Sequence, residues 1–103
     1  MDIMRELYSV IKDRQEHPVE GSYTNYLFEK GTDKISKKLG EEAVEVVIAA
    51  SQRDKKEIIA EIADLEYHLL VLMADQGITI DDVETELRSR RGCFCPSGKK
   101  CRK

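Results

Sequence analysis

The chain has no tryptophan and only two prolines, and its aromatics amount to 6%. With so few chain breakers, and with Ala, Leu, Ile, Val, Glu and Lys abundant, the composition favours helices, and no strand signal survives comparison with the helical one. Long apolar runs are also missing. None approaches the roughly 18 residues of a membrane span, and the opening MDIMRELYSVIKDRQEH is polar at helical spacing rather than leader-like. These absences exclude a membrane-spanning role and make the cytoplasm the expected compartment. Cysteine is scarce and odd in number: Cys93, Cys95 and Cys101 all lie in GCFCPSGKKCRK. That is not a disulfide framework. A zinc site there needs a fourth ligand, and neither His17 nor His68 is near in sequence. Residues 92–103 are therefore expected to be a disordered basic tail, dispensable for chemistry, behind a single domain over residues 1–91.

Charge is plentiful. Charged residues make up 36% of the chain and the net charge is −3, but Arg88 to Lys103 holds seven basic residues and no acid, leaving a strongly acidic body. Such a body argues against a nucleic-acid partner, although the tail could touch phosphates. At 103 residues one core is affordable, and a second copy of the chain would add to it.

Ile3, Leu7, Val10 and Ile11 recur at helical spacing, predicting a helix over 2–16 that ends at the His17-Pro18 step. TNYLFEKG predicts a short helix capped by Ser22 or Thr24 and closed by Gly31. Thr32 or Asp33 starts a long helix to about Ser51. Asp54-Lys55-Lys56-Glu57 fits a capping box, so a third long helix runs from Lys55 to Gln76 and stops at Gly77. A last one begins at Thr79 or Asp81 and reaches Arg90. The Lys55–Gln76 stretch is apolar nearly all round, which predicts burial on nearly all sides. In so short a chain a second subunit is the preferred source of that cover, so the expected architecture is an all-α bundle completed by homodimerisation.

Into this apolar surface the sequence inserts acids. LGEEAVEVVIAA carries Glu41, Glu42 and Glu45 on a stripe shared with Lys34 and Lys38, and the next long helix carries Glu57, Glu61, Asp64 and His68 on another. If the intervening turn is tight and antiparallel, Glu45 lies level with Glu61, Glu42 with Asp64, and Lys38 with His68. Four carboxylates then meet at two adjacent levels. From Glu41 to Asp75 the basic residues are Arg53, Lys55 and Lys56, all at the turn. Three explanations fit: a cation site, a solvated acidic face, or a buried polar interface. The first is favoured, because Lys37-Glu41 and Lys38-Glu42 have the poorer orientation for helix pairs and the acids of the later helix have no partner at all. All-oxygen ligation suits Mg²⁺ or Mn²⁺ beside substrate phosphates. Lys34, Lys37 and Lys38 are candidates for phosphate contact. His68 reads as a hydrogen-bonded core histidine and Tyr67 as packing.

The EExxE pattern of Glu41, Glu42 and Glu45, followed by ExxD at Glu61 and Asp64, resembles the MazG-like all-α nucleoside triphosphate pyrophosphohydrolases. With GSYTNYLFEKGTDKISKKLG, EIADLEYHLLVLM and GITIDDVETELRSRR, the span from Leu7 to Arg91 resembles phosphoribosyl-ATP pyrophosphohydrolases of histidine biosynthesis. The resemblance implies a helical homodimer and Mg²⁺-dependent hydrolysis of the α,β-phosphoanhydride of phosphoribosyl-ATP. Some relatives carry a fused cyclohydrolase, for which this length leaves no room. It also implies that Glu42, Glu45, Glu61 and Asp64 hold the metal and that Glu41 supports them or orients the attacking water. Lys34, Lys37 or Lys38 would hold pyrophosphate. Tyr23, in the Ser22-Tyr23-Thr24 element, either touches substrate or is a core tyrosine beside a helix cap. A related enzyme that cleans up (d)NTPs, or a non-catalytic helical dimerisation module, remain the alternatives.

Overall fold

The computed structural model describes residues 2–92; the cysteine-containing tail expected from the sequence lies almost wholly outside them. Five helices follow in order: α1 (Ile3–Glu16), α2 (Tyr23–Lys30), α3 (Thr32–Ser51), α4 (Lys55–Gln76) and α5 (Ile80–Arg90). No strand occurs among the described residues. Local chemistry sets most of the boundaries. Ser22 caps α2 by accepting from Asn25 N–H, and Asp54 caps α4 by accepting from the N–H groups of Lys56 and Glu57. Only that half of the box expected at Asp54 forms. The reciprocal box occurs at α5, where Thr79 and Asp82 each accept from the other's backbone N–H.

Two glycines make the corners. Gly31 alone joins α2 to α3, with φ 94° and ψ −179°, a combination essentially confined to glycine. Gly77 turns left-handed at φ 72°, which brings Ile78 N–H within 2.8 Å of Met73 O and closes α4.

The α3–α4 hairpin is the frame, and the core forms at the end away from its turn. There Ile11 from α1, Leu27 from α2, Ile35 from α3, and Leu70, Val71, Met73 and Ala74 from α4 pack together. Towards the turn the hairpin stands clear of α1 and α2. The expected all-round burial of α4 thus fails: its buried residues all lie in its C-terminal half, yet Leu69 there is 41% exposed, as are Val47 at 67% and Ile59 at 62%, because none of the described residues reaches over them.

Candidate active site

The acids lie midway along the hairpin. One carboxylate oxygen each from Glu42 on α3 and from Glu61 and Asp64 on α4 fall within 4.8 Å of one another. Glu61 and Asp64 stand one turn apart on a common face, and the antiparallel turn sets Glu42 opposite them. Glu45 is exposed and falls outside this set, yet it is close enough to act on it. The Glu61 carboxyl is pushed above the usual carboxylate range, first by loss of solvent and then by the charges of Glu45, Asp64, Glu42 and Glu57.

Among the described residues no basic side chain forms an ion pair with Glu42, Glu45, Glu61 or Asp64. The nearby lysine, Lys38, is taken by Glu41, with Nζ 3.3 Å from Oε1. The other two candidate lysines lie elsewhere: Lys34 sits 5.9 Å from the centroid of the Tyr26 ring beside Lys30, and Lys37 is exposed. The donor set fits a hard divalent cation. It offers three convergent oxygens and no nitrogen or sulfur, and its excess negative charge has no counterion among the described residues.

The Ser22-Tyr23-Thr24 element bears on the same helix. Ser22 is the cap, but Tyr23 is 44% exposed and so is not a core tyrosine. Its hydroxyl lies 3.0 Å from His68 Nε2, while Thr24 Oγ1 meets the Tyr67 hydroxyl at 2.5 Å. Two successive residues of α2 thereby grip two successive residues of α4. His68 is 5% exposed, as expected of a hydrogen-bonded core histidine. Its link to Tyr23 had no sequence signal, since the partners lie 45 positions apart. On the other side of Tyr23 a groove of about 900 Å³ opens between the Pro18–Ser22 loop and α2, lined also by Gln15, Tyr26 and Phe28.

The profile of the family described as phosphoribosyl-ATP pyrophosphohydrolase matches residues 4–91. The chain belongs to the phosphoribosyl-ATP pyrophosphohydrolase family. A relative from Clostridium botulinum, named phosphoribosyl-ATP pyrophosphatase, is 53% identical over 94 residues, covering 91% of this chain and 86% of its own. One of the same name from Listeria monocytogenes serotype 4a is 60% identical over 90 residues, covering 87% and 86%. The histidine biosynthesis bifunctional protein HisIE of Thermoanaerobacter pseudethanolicus is 64% identical over 84 residues, which are 82% of this chain and 39% of that longer protein. All of the acidic candidates, the three lysines and the Ser22–Thr24 element fall inside the span that the phosphoribosyl-ATP pyrophosphohydrolase profile covers.

Proposed function

We propose that this member of the family hydrolyses the α,β-phosphoanhydride of phosphoribosyl-ATP to phosphoribosyl-AMP and pyrophosphate, a step of histidine biosynthesis, in the cytoplasm and as a homodimer. The observation that carries the site is the convergence of Glu42, Glu61 and Asp64 across the hairpin, with no basic partner among the described residues. These three would hold Mg²⁺, or Mn²⁺ in its place, with Glu45 beside Glu61 completing the quartet. A bound ion would supply charge neutralisation on the phosphate oxygens. Glu41, held by Lys38, orients the attacking water. The water oxygen bonds to phosphorus as the anhydride P–O bond breaks, and the lost proton passes to a carboxylate. Lys38 offsets charge on the departing pyrophosphate, while Lys34 and Lys37 lie on the same helix, towards its N-terminus, to receive outer phosphates. The exposed apolar residues of the hairpin, among them Val47, Ile59 and Leu69, support pairing of two copies.

The test is pyrophosphate release from phosphoribosyl-ATP, with Mg²⁺ and with EDTA. Release that EDTA abolishes supports the assignment. No release from folded protein, together with turnover of a dNTP panel, would replace it with nucleotide clean-up. Inactivity on both would favour a binding module.

A further inference from the structure

The corner at Gly31 brings the last turn of α2 and the first turn of α3 to one aromatic ring. Lys30 Nζ lies 5.8 Å and Lys34 Nζ 5.9 Å from the centroid of Tyr26. At that range an ammonium is attracted to the ring, and among the described residues neither lysine forms an ion pair. Two ammoniums gathered at one ring suit a shared anion. Tyr26 also lines the groove of about 900 Å³ beside α2. The loop wall of that groove is tied down at Asn25, whose Nδ2 donates to Arg14 O at 2.6 Å and whose Oδ1 accepts from Val19 N–H at 2.8 Å. The groove is continuous with the acidic site. Tyr26 stacks on Tyr23 with centroids 6.0 Å apart, the Tyr23 hydroxyl lies 3.0 Å from His68 Nε2, and His68 Nδ1 donates to Asp64 O at 2.8 Å. His68 stands four residues after Asp64, about 6 Å along the helix axis, on the side away from the hairpin turn.

We propose that this groove receives the phosphoribosyl arm of phosphoribosyl-ATP and that Lys30 and Lys34 bind the phosphate of that arm at its rim. This rests on the hydrolytic assignment above, and it moves Lys34 from the triphosphate to the arm. The substrate carries phosphate at both ends, a triphosphate on one pentose and a monoester on a second pentose attached to the adenine ring. With the anhydride at Glu42, Glu61 and Asp64, the monoester calls for cations of its own at a distance from the metal. The groove also holds Glu20 and Glu29. Carboxylates accept from ribose hydroxyls and repel phosphate, so they favour the pentose inside and leave its phosphate to the lysines. A nucleotide without the arm makes none of these contacts, and the groove thereby sets a preference for phosphoribosyl-ATP over ATP.

The experiment titrates the full chain with ribose 5-phosphate, inorganic phosphate and Mg²⁺-pyrophosphate, by calorimetry and by NMR, beside kcat/KM for phosphoribosyl-ATP. Ribose 5-phosphate is expected to bind more tightly than inorganic phosphate and to shift the amide signals of Val19, Gly21 and Lys30. Lys30 is exposed, so Lys30→Ala leaves the core intact. It should weaken ribose 5-phosphate about tenfold, the size of one charge-assisted hydrogen bond, lower kcat/KM by a similar factor and leave pyrophosphate affinity unchanged. Lys30→Arg should retain most of both. Equal affinity for ribose 5-phosphate and inorganic phosphate would overturn the proposal in favour of an unspecific anion patch. Weakening of pyrophosphate by the same factor in Lys30→Ala would overturn it in favour of contact with the triphosphate, and unchanged ribose 5-phosphate affinity in that variant would overturn it outright. If the unaltered protein does not cleave phosphoribosyl-ATP, the hydrolytic assignment fails by itself, and the ribose 5-phosphate titrations still decide whether the groove takes a phosphorylated pentose.

Discussion

Glu61 is the carboxylate on which the electrostatics of the site converge, crowded by four other acids and partly withdrawn from water. Its raised pKa means that ionisation opposes folding in the metal-free chain, an effect absent at low pH and growing as pH rises past the ordinary glutamate range. Replacing it with a neutral isostere should relieve that repulsion while removing a proposed ligand. Glu61→Gln is therefore expected to melt no lower than the parent without metal and to gain less stability than the parent on addition of Mg²⁺. Its pyrophosphate release should fall by more than the roughly 10–100-fold that loss of an outer partner of a metal site costs; calorimetric melts with and without Mg²⁺, beside a turnover assay, check all three. Tyr8 offers a test at alkaline pH. Its hydroxyl donates to Ile78 O at 2.6 Å, and its pKa is raised by loss of solvent and then by Asp82. A folded-state pKa above the unfolded value of about 10 confers stability that is complete below that value and is lost as pH climbs through the folded one. Urea midpoints should fall less steeply above about pH 10 in Tyr8→Phe than in the parent. Glu42, Glu61 and Asp64 were legible in the sequence because the hairpin register places them together. Glu45 lies outside the trio because register fixes levels along two helices but not the lean of each side chain.

Helix boundaries were the most legible features, since caps and glycines are written locally. The one misplaced device was the capping box. Asp54 followed by Glu57 has the expected residue types, whereas the box that closes reciprocally uses Thr79 and Asp82, an aspartate where glutamate or glutamine is usual. Gly31 shows what an element junction can demand. A Cβ placed there meets nothing within 4 Å, so any penalty for alanine is conformational rather than steric. Gly31→Ala is expected to destabilise by about 1–3 kcal/mol, seen in chemical denaturation. It should also loosen the angle between α2 and α3, and with it the grip of Tyr23 and Thr24 on α4. A neutral result would show that the junction relaxes without strain.

For the molecule as a whole, the sequence announced an apolar surface larger than one chain can cover, and the fold leaves it uncovered on the turn half of the hairpin. Which helices a second copy presents to it is not legible, because apolar periodicity identifies a face and not its mate. Val47→Asp combined with Ile59→Asp should convert a dimer into a monomer in sedimentation experiments, and a parent that already sediments as a monomer would refute the pairing. The attachment of α5 is of another kind. Arg5 bridges from α1 to Glu84 at 2.6 Å and to Asp81 at 3.0 Å, while α5 itself contributes no fully buried residue. Pairs this open to solvent are weak and screened by added salt. Ionic strength, rather than temperature or denaturant, should therefore be the variable that separates α5 from the rest of the fold. Amide hydrogen exchange in α5 would quicken as sodium chloride rises while the α3–α4 hairpin keeps its protection, so the chain would loosen from its C-terminal helix.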